Sequence, residues 1–352
     1  MDNITQWFRR QMANPQIVFL TIALLVFILF ITYTGQMLAP VLASIVIAYL
    51  LQGIVNYLQR WKVPRLLSVI LVYILFVLFI LLVMFALMPL LFNQTKELIQ
   101  NIPAMLSLGQ ASLLTLPERY PELFSEVQVY DMIDSIRTEL TAYGQHVLTL
   151  SLASATSVIS VLIYAVLVPM MVFLFLKDKD KILDWIHERL PKDRQLADQV
   201  WGEVDVKIGN YIRGKFWEIL TVWLVCWITF MVMNLQWAAL LAVLVGLSVI
   251  VPYVGAAVVT IPVAMVAWFQ WGWSPPFFYL MLAYFIIQAL DGNVLVPLLF
   301  SEVVNIHPIA IIVAILFFGG LWGFWGVFFA IPLATLVQAV ISAWPTSERQ
   351  QE

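Results

Sequence analysis

Charge is what this sequence has least of. Only 11% of its 352 residues are charged and 62% are hydrophobic, against about 25% and about 45 to 50% in an ordinary soluble domain. No water-soluble packing hides that much apolar surface. Cysteine is scarcer still: the single Cys226, set in an apolar run, excludes a disulfide within the chain and a thiolate metal site. No other cluster of ligating residues points to a metal or a cofactor, and none is expected. A formal net charge of −3, with the basic residues dispersed, gives no electrostatic footprint for nucleic acid. The longest absence runs from Ile219 to Thr346, where there is no lysine or arginine and the only carboxylates are Asp291 and Glu302.

What is there instead is apolar sequence, in runs of the roughly 20 residues that a hydrocarbon core demands of a helix. They predict spans at 17–34, 38–57, 66–91, 152–176 and 216–234, then interrupted crossings at 238–270, 277–300 and 306–341. The expected fold is all-α: a polytopic integral membrane protein of about eight membrane segments, those of the C-terminal third interrupted by proline and glycine or re-entrant. Arg9 and Arg10 before the first run also suit a secretory signal peptide, but the run is long and lacks a clean cleavage site, so it reads as a span. Arg9, Arg10, Arg60, Lys62 and Arg65 flank short segments, which the positive-inside rule places in the cytoplasm together with the N-terminus.

The chain accordingly divides into N-terminal membrane helices (1–92), an extracytoplasmic amphipathic segment (93–150), a membrane helix (151–176), a cytoplasmic loop with an amphipathic helix (177–215), a broken-helix membrane core (216–345) and a tail (346–352). The segment 93–150 carries three cations against seven carboxylates, and Val129, Met132, Ile133, Ile136, Leu140, Tyr143 and Val147 give it one apolar face. The segment 177–215 holds nine of the eighteen cations, nearly balanced by carboxylates, and puts Leu196, Val200, Val204, Ile208 and Ile212 on one face. Trp217, Trp237, Trp271, Trp273 and Trp344 fall at expected span ends, as interfacial aromatic belts do.

Candidate chemistry lies where the apolar runs are interrupted. Pro252, in Val251-Pro252-Tyr253-Val254-Gly255, has no amide hydrogen, so a carbonyl one turn earlier is freed in a solvent that offers no partner. Such a break is either a plain structural kink or backbone that lines a transport pathway. In Gln288-Ala289-Leu290-Asp291-Gly292-Asn293, followed by Pro297, an ionisable residue sits inside a span, which is costly and marks an ion, proton or substrate site. Asp291 is the first candidate, with Gln288 on its face and an Asn293 carbonyl that Pro297 deprives of its donor; the competing reading is an interfacial turn or cap. Glu302 reads as loop. His307, before Pro308, reads as a helix start, with proton relay as the alternative.

The third interruption, Gly319 to Gly326 and then Pro332, spaces Gly320, Gly323 and Gly326 three apart, a groove of bare backbone suited to close packing or to a pathway. Gly255 through Ile261-Pro262 to Ala264, and Gly326 through Ile331-Pro332 to Ala334, share one pattern, the weak internal symmetry of repeat-built transporters.

Gly209-Asn210-Tyr211-Ile212-Arg213-Gly214-Lys215, Ile250 to Gly255, Asp291-Gly292-Asn293 to Pro297, His307-Pro308 and the glycine run to Pro332 together resemble the autoinducer-2 exporter-like (AI-2E) permease family over nearly the whole chain. The resemblance implies a multi-pass permease of the bacterial inner membrane, with membrane lipids and a small-molecule or ion substrate as partners, and a homo-oligomer of which a pentamer is one form. It links members both to export of a small signalling furanone and to sodium/proton exchange. The wider family often has an acid pair before the asparagine; here Asp291-Gly292 lacks the second acid, which weakens an ion-exchange reading. The expected function is movement of a small polar or ionic solute, with a channel or a non-transporting scaffold as alternatives. No enzyme is expected: Gly246-Leu247-Ser248 leaves a nucleophile elbow incomplete, and His307 is the only histidine after the polar loop.

Overall fold

In hydrocarbon a backbone must satisfy its own hydrogen bonds, so apolar runs of this length coil into helices. The computed structural model describes residues 15–114, Ser135, 154–190, 195–252, 254–300 and 307–343, with no strand among them. The elements are α1 Pro15–Arg60, α2 Arg65–Leu82, a π turn Val83–Leu87, α3 Met88–Leu114, α4 Ser154–Lys177, α5 Lys179–Arg189, α6 Gln195–Val232, α7 Ala238–Ser248 and α8 Val254–Trp271. They continue with α9 Pro275–Leu290, a π turn Asp291–Leu295, α10 Val296–Phe300, α11 Pro308–Phe328 and α12 Ala330–Ala343. Among the described residues, six stretches are long and apolar enough to cross a membrane: Met37–Arg60, Arg65–Ala111, Ala197–Val232, Val254–Trp271, Pro275–Phe300 and Ile309–Phe328. The expected apolar face between Val129 and Val147, Glu302, Trp344 and the tail lie outside the described residues.

Two expected boundaries are absent. The spans foreseen at 17–34 and 38–57 are one helix, α1, with no turn between them. The Thr34 hydroxyl donates back to the Phe30 carbonyl at 2.5 Å, so the polar Thr34-Gly35-Gln36 is carried within the helix and does not turn the chain. At about 1.5 Å per residue, the 46 residues of α1 make a rod about 69 Å long, more than twice a hydrocarbon core of about 30 Å. α6 likewise runs unbroken from the amphipathic segment into the span foreseen at 216–234. Val200, Val204 and Ile212 on its apolar face are buried, as their spacing predicts.

α1, α2 and α4 pack together around Val55, Val69, Val72, Val172 and Leu176. An Arg65–Asp180 ion pair ties the start of α2 to the start of α5, which brings Arg60, Arg65 and Lys177 to one face of the molecule. α6 is the central strut and packs against α1, α7, α9, α10 and α12. Its far end reaches the opposite face, where Trp237 Nε1 donates to Glu97 at 3.3 Å and the Leu240 amide donates to Gln94 at 2.8 Å.

The stretch 238–270, expected as an interrupted crossing or a re-entrant piece, folds back on itself as a hairpin. The 11 residues of α7 extend about 16 Å, half a hydrocarbon core, before the chain turns back as α8. Gln270 at the end of α8 accepts from the Gln236 amide at 2.8 Å and donates to the Asn234 carbonyl at 2.7 Å, so both ends lie on the same face. α11 and α12 form a second hairpin over 306–341, the other stretch expected as an interrupted crossing or a re-entrant piece. It turns at Gly323, which has φ +60. Near the turn Trp322 Nε1 donates to the Thr32 hydroxyl of α1 at 3.0 Å, while Ala339 on the returning arm sits with Val200 and Val204 near the start of α6. The second hairpin therefore opens toward the face that carries Arg65, opposite to the first.

Candidate functional site at the hairpin turns

Each hairpin closes on a glycine. A Cβ at Gly255 would overlap the Ser248 carbonyl on the incoming arm, and a Cβ at Gly326 would overlap the Phe318 carbonyl in the same way. Both glycines stand three to four residues past the turn, so the repeated pattern in the sequence is also a repeated contact. Gly323 serves differently: its positive φ is a conformation that side chains other than glycine resist. Gly320 meets nothing within 4 Å, so the expected groove at three-residue spacing reduces to one close approach at Gly326 and one turn at Gly323.

One carbonyl beside each of the two turns is taken up by a neighbouring turn of α6. Phe328 O has no i+4 donor because Pro332 lacks an amide hydrogen, and Tyr211 OH donates to it at 3.0 Å. Next to Pro252, Ile250 N and Val251 N bond to the Leu247 and Ser248 carbonyls, and Lys215 Nζ donates to Val249 O at 2.9 Å. Tyr211 and Lys215 are four residues apart and so share one face of α6. One helix face thus holds both inverted hairpins.

Lys215 also pairs with Glu218 at 2.6 Å, with both side chains at most 4% exposed. Its ammonium lies 5.2 Å from the centre of the Phe300 ring and 6.0 Å from that of Tyr211. Asp291 occupies the π turn that packs on α6, and its Oδ1 is buried without a hydrogen-bond partner. Gln288 Nε2 donates to Tyr284 OH at 2.9 Å, which leaves the Tyr284 hydroxyl to donate to Thr260 Oγ1 at 3.0 Å. Thr260 in turn donates to the Ala256 carbonyl at 2.7 Å. This polar chain joins the Asp291 helix to the first hairpin just past Gly255.

Of the residues singled out in the sequence, Pro252, Gly255, Gln288, Asp291, Gly323 and Gly326 gather around α6 and its two hairpins. Three do not. Asn293 is exposed and its amide donates back to the Ala289 carbonyl at 2.8 Å. Pro297 is exposed in α10, where the preceding π turn absorbs the change of register. His307 is exposed and caps α11, its Nδ1 accepting from the Ile309 amide at 3.3 Å, the helix-start reading of its position. Sequence reasoning missed Tyr211, Lys215 and Glu218 as site residues. The signal was Lys215-x-x-Glu218, an ion pair at helical spacing placed after the charged segment and inside the apolar run.

The family model described as AI-2E family transporter matches residues 18–346. The chain is 45% identical over 352 residues to the candidate permease PerM of Escherichia coli strain K12, covering 100% of both. It is 27% identical over 318 residues to the candidate transport protein YueF of Bacillus subtilis strain 168, covering 88% of this chain and 85% of that one. It is 20% identical over 312 residues to the AI-2 transport protein TqsA of Escherichia coli strain K12, covering 88% and 87%.

Proposed function

The chain belongs to the AI-2E family of transporters, and from that premise we propose that it carries a small polar or ionic solute along α6, past the turns of its two hairpins. The observation that supports this is the pair of donors on one face of α6, Tyr211 and Lys215, each holding a carbonyl beside the turn of an oppositely directed hairpin. Inverted re-entrant elements that meet at an irregular, polar backbone are a recurrent way to build a solute site inside a membrane. Each hairpin is held there by a side-chain hydrogen bond that can break without the other, so the two can open in turn, as a carrier requires and a continuously open channel does not.

In this reading the membrane is the bacterial inner membrane, and the face with Arg60, Lys62, Arg65, Lys177, Lys179 and Lys181 is cytoplasmic. An unbroken α1 then carries Pro15 to the other face, against the cytoplasmic N-terminus expected from Arg9 and Arg10. Assembly as a homo-oligomer belongs to the same proposal.

Flux into proteoliposomes tests the function. The purified chain is presented with a panel of small polar solutes that includes autoinducer-2, the solute in the name of TqsA. Saturable flux of at least one solute is expected, strongly reduced by Asp291→Asn. Single-channel currents, or flux that Asp291→Asn leaves unchanged, would remove the carrier or the site.

A further inference from the structure

We infer that α3 is a latch on the first hairpin: Gln94 and Glu97 hold the mouth of that hairpin shut, and α3 must swing away about the π turn Val83–Leu87 before the hairpin can move. The part played in transport rests on the reading proposed above, while the docked contacts rest on geometry alone.

α2, the π turn and α3 follow one another without a loop, and their stretch Arg65–Ala111 holds 47 residues. At about 1.5 Å per residue that is about 70 Å, more than twice a hydrocarbon core, so α3 leaves the apolar layer. The polar run Asn93-Gln94-Thr95-Lys96-Glu97 marks where it does so. Beyond that point α3 packs on α7, at the mouth of the first hairpin. Leu98 and Met105 share one face of α3 and enter the apolar cluster that also holds Leu235, Trp237 and Ala238. Gln94 lies on that face one turn earlier, and Glu97 lies at its edge.

These two polar side chains supply what the mouth lacks. The first amides of a helix have no partner within it. α7 begins after Trp237, whose side chain does not cap it, and the Leu240 amide donates to Gln94 Oε1 at 2.8 Å instead. Asn234 and Trp237 both have positive φ, +55 and +53. That conformation is costly for a residue with a side chain and persists only where the surroundings impose it. Glu97 does so at Trp237 by accepting from the indole Nε1 of this buried side chain at 3.3 Å.

α7 is thus gripped from outside at both ends, because Lys215 holds Val249 O just past its last residue. The two grips differ in what stands behind them. Lys215 belongs to the central strut, whereas α3 is joined to α2 through a π turn in which no residue is buried. A π turn inside a helix is a place where the helix bends. The grip on the mouth is therefore the one that a rigid swing releases. Once α3 lifts, α7 loses its cap and Trp237 is free to leave its strained conformation.

Hydrogen exchange of the purified chain in detergent tests the grip without any solute. Gln94→Ala should speed exchange at the Leu240 amide and its neighbours in the first turn of α7 about five- to tenfold, as the loss of a helix cap predicts. Lys96→Ala, on an exposed part of α3, should not, and α9 should exchange as in the wild type in both. Equal protection of α7 in the wild type and Gln94→Ala overturns the latch. A reversible bridge tests the swing. With Gln94→Cys and Leu240→Cys in a Cys226→Ser background, a short bis-methanethiosulfonate reagent ties α3 to α7. Flux of the solute carried in proteoliposomes should stop in the bridged protein and return when a reductant cuts the bridge, so that one preparation is its own control for folding. Flux that persists through the bridge makes the docking structural only and overturns the latch. Absence of flux for every solute in the wild type removes the permease reading, and with it the part of α3 in transport. The exchange result still decides whether α3 holds the mouth, so the two failures are distinguishable.

Discussion

At the scale of single residues the molecule turns on donors of α6 that reach carbonyls beside the hairpin turns. Tyr211→Phe removes the donor to Phe328 O and leaves that carbonyl unpaired in an apolar setting. The expected loss is about 1 to 3 kcal/mol, read as a lower thermal midpoint in detergent, and an unchanged midpoint would show that Tyr211 does not hold the second hairpin. Asp291 was legible in the sequence because an acid in a long uncharged stretch stands out. Lys215 and Glu218 were not, since they adjoin the charge-rich segment and only the third dimension shows them buried. Asn293 and Pro297 looked like parts of one site with Asp291. The π turn Asp291–Leu295 separates them, turning Asp291 toward α6 and leaving Asn293 exposed.

At the scale of elements the glycines decide whether a hairpin can close. Gly255→Ala and Gly326→Ala each drive a methyl group into a backbone carbonyl that cannot rotate away. Each should cost at least the roughly 1 to 3 kcal/mol of core overpacking, whereas Gly292→Ala and Gly320→Ala, with nothing within 4 Å, should leave the thermal midpoint within about 1 kcal/mol or raise it. Equal effects at all four would contradict the close contacts. The shared Gly to Ile-Pro to Ala pattern was visible before the structure, but not its meaning, because a pattern alone does not say which carbonyl the glycine must pass. Likewise hydropathy finds apolar length and not direction, so crossing and re-entrant readings of 238–270 stood side by side until its ends were seen joined through Gln236, Asn234 and Gln270. α1 was divided in the sequence for the opposite reason: a short polar stretch reads as a loop, and a threonine that donates to its own helix cancels the signal.

At the scale of the whole molecule, α6 carries the architecture. It contacts α1 near one face, continues past the Lys215–Glu218 pair, and ends beside the mouth of the first hairpin at the other, while the second hairpin opens the opposite way. Helical class and membrane residence followed from composition, because a chain with 11% charged residues has few other ways to bury itself. The inversion of the two hairpins did not follow, since the stretch from Ile219 to Thr346 has no cation with which to orient it. The account stands or falls on that inversion. Single cysteines in a Cys226→Ser background, labelled in intact cells with a membrane-impermeant maleimide, test it most directly. Gln236→Cys and Trp273→Cys flank the first hairpin and should both react from outside, while His307→Cys, at the mouth of the second hairpin, and Lys181→Cys, beside the foot of α2, should react only after the cells are opened. Labelling of Gln236→Cys and Trp273→Cys from opposite sides would make 238–270 a crossing and contradict the inverted hairpins on which the pathway along α6 depends.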